Sequence, residues 1–205
     1  MNRRIALVLL ALLTFAALPS QARDKAAPTA PGKYKEWGPD IDEIEIARSF
    51  KIAGYDRIVV EPFDTSKVAL PDKSAKWYGT MKMTLAGYTE AFTEALEKEL
   101  KAKAAVEQTD RAAKASKTLI VRGTVLDLDP GTRAGRYFGG FGAGAASTKL
   151  NVEIVDAATG EVLARVTQGR RSAGTFKAAG GSDLEVMRDA IHAAGKDVAH
   201  VLDAF

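Results

Sequence analysis

Apolar residues along this chain fall into two periods, and the switching between them outlines a fold. Arg57-Ile58-Val59-Val60-Glu61-Pro62-Phe63 is β-branched and apolar, and Pro62 closes it, which predicts a short strand. A polar loop follows from Asp64 to Lys76. Then Met81, Leu85, Tyr88, Phe92, Leu96 and Leu100 recur at three- and four-residue steps, which predicts one apolar stripe on a long helix. Lys117 to Leu128 returns to strand character, and the unbroken Leu119-Ile120-Val121 places it centrally in a sheet. Lys149 to Val155 alternates, with Leu150, Val152 and Ile154 on one side and Lys149, Asn151 and Glu153 on the other, so one face of that strand meets water. Asp156-Ala157-Ala158-Thr159-Gly160 reads as a turn, and Glu161 to Thr167 as the returning arm of a hairpin. Ser182-Asp183-Leu184-Glu185 has capping-box spacing. It opens a last helix whose stripe is Leu184, Met187, Ile191, Ala194, Val198, Val201 or Leu202, and Phe205. The order strand, helix, one or two strands, hairpin, helix predicts an α/β fold of the α+β sandwich type. Its sheet is mixed and largely antiparallel, with 4–5 strands and two long helices on one face.

The start of the chain has a different pattern. Arg3 and Arg4 precede an uncharged apolar run from Ile5 to Leu18, and Pro19-Ser20-Gln21-Ala22 places small residues ahead of a cut after Ala22. This is the layout of a cleavable signal peptide, too short for a good membrane span. Residues 1–22 are therefore read as the signal, 23–54 as a flexible lead-in with an edge strand around Ile41, Ile44 and Ile46, and 55–205 as a single α/β domain. Lys and Arg total 29 against 26 Asp and Glu. Removal of Arg3 and Arg4 leaves the remainder almost neutral, which argues against a nucleic-acid partner. The chain has no Cys, hence no disulfide, no thiol nucleophile and no residue to carry an N-terminal lipid anchor. The expected location is periplasmic, with no membrane span after cleavage.

One segment stands apart in composition. Pro130 to Ala145 holds Gly131, Gly135, Gly139, Gly140, Gly142 and Gly144, with Tyr137, Phe138 and Phe141 among them. Ordering glycine costs about 0.5–1 kcal/mol more than ordering alanine, so a passive hairpin gains nothing from so many. Three uses are open: the aromatics fold back onto their own sheet, they dock on a partner or a second copy, or the glycines cradle phosphate. In the second, Arg133, Arg136, Tyr137, Phe138 and Phe141 are the partner-binding residues, with the arginines as polar rim. The third lacks the Lys-Ser/Thr and the following helix N-terminus that a phosphate loop needs.

At this segment the chain resembles a known family. Gly123, Asp129-Pro130-Gly131, the run from Arg136 to Gly144, and Asp156-Ala157-Ala158-Thr159-Gly160-Glu161 resemble the bacterial envelope family catalogued as domain of unknown function forty-four-ten. The strand Tyr55 to Val60 fits as well. The resemblance implies an exported α/β domain without established activity, often part of a lipoprotein. Its layout is similar to the α/β domains of the Tol-system periplasmic protein and the curli secretion lipoprotein. This chain departs from the lipoprotein members in lacking the lipid-bearing Cys.

Catalytic patterns are thin. His192 and His200 lie eight residues apart on the last helix, and Asp189, Lys196 and Asp197 read as the solvated face of that helix. No Gly-x-Ser-x-Gly occurs. Asp127 and Asp129 follow the central strand with two-residue spacing, suited either to acid/base chemistry or to capping the Pro130-Gly131 turn. Trp37, Trp77 and Tyr78 suit a sugar platform or core packing. No cofactor and no metal site is expected. The sequence favours a non-enzymatic interaction or assembly module of the cell envelope. The alternatives are a small-ligand binder with its pocket between the glycine-rich loop and the sheet, and a hydrolase acting through Asp127 and Asp129.

Overall fold

A computed structural model describes residues 27–38, 41–132, 144–172 and 182–205. The strands are β1 (Gly32–Trp37), β2 (Ile41–Ile46), β3 (Arg57–Val60), β4 (Ala105–Gln108), β5 (Thr118–Asp129), β6 (Ser147–Asp156) and β7 (Val162–Arg171). The helices are α1 (Tyr78–Ala86), α2 (Tyr88–Glu99) and α3 (Asp183–Asp203). All strands join one open sheet in the order β1-β2-β7-β6-β5-β3-β4. Among the described residues only β3 pairs in parallel, with β4 and with β5; the remaining ladders are antiparallel.

The mixed, largely antiparallel sheet agrees with the sequence pattern, but the sheet has seven strands rather than 4–5. The strands beyond those expected are β1 and β4; β1 makes a hairpin with β2, the strand expected around Ile41, Ile44 and Ile46 in the lead-in. Ile41, Ile44 and Ile46 are buried there, and β2 is internal because β1 covers its outer edge. In β1, Gly-Lys-Tyr-Lys-Glu-Trp offers little strand signal, because half of its residues face water and the lysines suit a sheet edge.

The expectation of two long helices also changes. The stripe from Met81 to Leu96 is one continuous buried face, but Gly87 ends α1 and begins α2, with its N–H returning to the Met83 carbonyl. Periodicity does not register a break that keeps the stripe in phase. The last helix starts as expected: Ser182 and Glu185 form a complete capping box. Leu184, however, is exposed, and Val186 takes its place against the core.

Helix α3 packs against α2 and lies over β6 and β7. Gly195 permits the helix contact, since a Cβ there would sit 2.5 Å from the Phe92 carbonyl oxygen and 2.9 Å from Ala95 Cβ. On the strands, Ile44, Ile58, Leu119, Val121, Leu150, Val152, Ile154 and Val166 complete the main core. Phe205 stacks between Trp37 and Phe50, at centroid distances of 6.3 and 4.3 Å, and so ties the last residue to both ends of the β1–β2 hairpin.

Candidate functional site

The sheet has two unlike ends. At one, β6 turns tightly into β7, and this is termed the turn pole. At the other, the termini of β5, β6 and β7 meet in register, with Asp129 opposite Ser147 and Ser147 opposite Arg171. This loop pole carries the glycine-rich segment.

The base of that segment is tightly closed. Approaching it, β5 has a register shift between Val125 and Asp127. The Gly131 N–H donates to Asp129 Oδ1 at 2.8 Å, and the Thr132 N–H donates to the Gly144 carbonyl at 3.1 Å. Gly131 has φ +68, and a Cβ there would meet the Gly144 and Ala145 carbonyl oxygens at 2.2 and 2.6 Å. No side chain fits, so this glycine is required by space as well as by backbone angle. One step further in, Ser172 clasps Ala146: its N–H donates to the Ala146 carbonyl at 2.7 Å, and its Oγ accepts the Ala146 N–H at 3.1 Å. Arg133, Arg136, Tyr137, Phe138 and Phe141 lie beyond this neck, outside the described residues.

A buried polar layer lies behind the neck. Asp197 of α3 is 2% exposed and Gln168 of β7 is 1% exposed. Gln168 Nε2 donates to Asp197 Oδ2 at 2.7 Å. Arg170 grips the same carboxylate with its fork, through Nε to Oδ2 and through Nη2 to Oδ1, the second at 2.7 Å. Gln168 Oε1 accepts the Asp42 N–H at 3.0 Å, and Asp42 Oδ2 accepts the Gly169 N–H at 2.9 Å, so the layer extends into β2. Beside it, the fully buried Tyr88 hydroxyl shares a hydrogen bond of 2.9 Å with Thr148, whose own hydroxyl reaches the Asp127 carbonyl at 3.2 Å. Burial raises the Tyr88 pKa well above the usual tyrosine range, and the Thr148 bond offsets only part of that.

Sequence reasoning missed this layer. Asp197 is buried against the sheet, not on the solvated face of the helix that its charge suggests. The signal was present: Asp197 shares a helical face with Ala190, Ala194 and Val201, all buried. Gln168 and Arg170 likewise continue the inward series Ala164, Val166 on β7.

The other candidates have structural roles. Asp127 and Asp129 are both exposed, and Asp129 accepts the Gly131 N–H, so the turn-capping reading holds for it. His192 stands beside Glu94 at 3.7 Å, and Arg188 donates to the same Glu94 at 2.6 Å; together they bridge α3 to α2 on the surface. Hydrogen bonding from Arg188 holds the Glu94 carboxyl below its ordinary range. Among the described residues no three His, Asp or Glu side chains gather as a metal-binding group. Trp37 is buried, donates to the Pro28 carbonyl at 2.7 Å and stacks on Phe205, so it is a core residue rather than a platform. Trp77 packs at the edge of the core.

The sheet face opposite the helices is open. Charge alternates in sign across it: Lys33, Glu45, Arg165, Glu153 and Arg122 lie side by side on successive strands. Glu153 receives both arginines, at 3.1 Å from Arg165 and 3.0 Å from Arg122, and Lys33 pairs with Glu45 at 3.1 Å. This face holds a shallow groove of about 510 Å³, with Glu43 and Glu61 also on its walls.

At the turn pole, Asp156 Oδ1 accepts the Thr159 N–H at 2.9 Å and its Oδ2 accepts the Tyr55 hydroxyl at 2.9 Å. Burial pushes the Asp156 carboxyl up, but the bonds from Thr159 and Tyr55 together outweigh it and leave the group below its ordinary range. Burial and the bond to Asp156 push Tyr55 up to about 12.

The fold and site define a class: an α/β domain whose mixed sheet carries helices on one face and a glycine-aromatic segment at one end. The chain belongs to the family described as Domain of unknown function (DUF4410), whose model matches residues 58–175, from β3 past the end of β7. The motif residue Gly123 has a spatial reason: a Cβ there would lie 2.3 Å from the Asn151 carbonyl oxygen and 2.8 Å from the Phe63 ring. No curated protein matches the chain. Among solved structures it is similar to the PelC dodecamer from Paraburkholderia phytofirmans, at 15% identity and TM-score 0.46, covering 79% of this chain and 97% of that one. It is also similar to a Xanthomonas campestris protein of the DUF330 family, at 13% identity and TM-score 0.41, covering 72% and 84%. No helix among the described residues is long and apolar enough to cross a membrane.

Proposed function

We propose that this chain is an exported, non-enzymatic interaction or assembly module of the bacterial cell envelope. It works in the periplasm after cleavage behind Ala22, without a lipid anchor, and presents Arg133 to Ala145 to an envelope protein or to a second copy of itself. The observation that carries the reading is the neck. A segment rich in glycine and aromatic residues is mounted on a base closed by Asp129, Gly131, Thr132, Gly144 and the Ser172 clasp. A fixed base lowers the entropy lost when aromatic anchors dock, which is how a short surface gains affinity. Crosslinking in living cells from a photoreactive residue at position 141 tests it. Capture of one discrete envelope protein, or of the chain itself, is expected; absence of any adduct with the residue exposed would end the reading.

A second reading is a small-ligand binder, favoured by the groove on the open face, where Thr167, Asn151 and the charged row offer polar contacts. A thermal-shift screen against nucleotides, sugars and metals tests it, and a shift lost in Arg122→Ala is the expected positive result.

A further inference from the structure

Four of the buried polar residues, Thr148, Gln168, Ser172 and Asp197, lie at the loop pole. Within them is a buried carboxylate held by three donors. An apolar trio of similar volume would pack there about as stably, because taking the charges out of water largely offsets their attraction. What the ionic arrangement adds is direction. Apart from Asp197, the buried side chains of α3 are apolar, from Val186, Met187 and Ile191 to Val198, Val201 and Leu202. Apolar packing is non-directional, whereas a planar guanidinium gripping both oxygens of a carboxylate accepts one register.

We infer that Arg170, Gln168 and Asp197 form a positioning device that locks α3 to the end of β7 and thereby holds the neck of the glycine-rich segment closed. The path is short and physical. Arg170 lies two residues before Ser172, and Ser172 holds both backbone groups of Ala146. Two residues further back, the Gly144 carbonyl receives the Thr132 N–H. Gln168 Oε1 extends the same lock to β2 through the Asp42 N–H. A shift of α3 moves Asp197, with it the end of β7, and with that the clasp. The consequence for partner capture rests on the reading of residues 133–145 as the interaction surface; the closure of the neck does not.

Native-state hydrogen exchange on the cleaved full-length chain separates the two. The variant is the double replacement Arg170→Met, Asp197→Leu, which removes the charges together and leaves neither stranded. The amides of Thr132, Ala146 and Ser172 report the neck; those of Ala157 and Gly160 report the turn pole. The expected result is exchange at the neck faster by about tenfold or more, with turn-pole amides within about twofold of the parent. Unchanged neck exchange overturns the inference. So does equal acceleration at both poles, because the trio would then be a general stabiliser. If the double variant does not fold, Arg170→Lys serves instead. It keeps the charge and loses the fork, and the same polarised pattern supports the inference while its absence overturns it. Loss of the position-141 adduct in the double variant extends the result to function. A parent chain that gives no adduct, with the polarised exchange present, ends the functional reading and leaves the positioning device standing.

Discussion

The loop pole and the turn pole close the same antiparallel strands with opposite economies of structure. At the turn pole five residues suffice, and one carboxylate, Asp156, satisfies both the turn and the Tyr55 hydroxyl at the edge of solvent. At the loop pole the closure is layered: an exposed aspartate cap, a glycine with no room for a side chain, a serine clasp, and behind them a buried carboxylate gripped by a half-buried arginine. A turn that only has to reverse the chain needs local chemistry. A base that must hold a long insertion in place needs chemistry drawn from distant elements, here β2, β7 and α3. The contrast shows where this fold concentrates its long-range polar contacts, beside the segment with the least ordinary composition.

The contrast breaks most visibly at Asp197. Replacing it alone by Ala removes the carboxylate that Arg170 and Gln168 both grip, and denaturant unfolding is expected to show a loss of about 3 kcal/mol or more. The glycines give a matched pair. Gly131 and Gly160 share left-handed backbone, at φ +68 and +74, but a Cβ is blocked at the first and free of neighbours at the second. Gly160→Ala is expected to cost about 1 kcal/mol, the conformational part alone. Gly131→Ala should cost about 1–3 kcal/mol more, from the carbonyl clash. Equal losses would mean that the neck yields easily.

The turn pole holds two groups whose titration makes it respond to pH. Asp156 has a lowered pKa, so its contribution is present above the ordinary carboxylate range and is lost as pH falls through its folded value. Tyr55 is raised to about 12, so its contribution is full below the ordinary tyrosine pKa and is lost as pH climbs toward that value. Urea midpoints across pH should show a shallower acid decline for Asp156→Asn and a shallower alkaline decline for Tyr55→Phe. The smallest effect belongs to neither pole. Arg165→Ala, on the open face, should cost at most about 1 kcal/mol, and less in high salt.

The sequence made legible those parts in which a single period or a local signal decides the outcome. The alternation of β6, the turn at Asp156 to Gly160 and the capping box at Ser182 all stand as read. What escaped depended on partners remote in the chain. β1 forms because β2 is beside it, and its lysines mark the open face rather than a loop. The break at Gly87 hides within an unbroken stripe. Asp197 looked solvated because charge overrides helical position in a quick reading, although its neighbours on the wheel are alanines and valines. Of the candidate site, the composition of the segment was plain from the residues, whereas its neck and the ionic layer required the third dimension.

The placement of β2 has a kinetic consequence. It is among the first elements of the chain, yet it is internal in the sheet and pairs with β7, and the Asp42–Gln168 contact spans 126 residues. Phe205 then closes over the hairpin from the far end of the chain. Loops of that length are closed late, and their contacts slow folding. A chain wired in this way cannot complete its sheet until nearly all of it has emerged. That order keeps it unfolded for longest on the side from which it would be threaded.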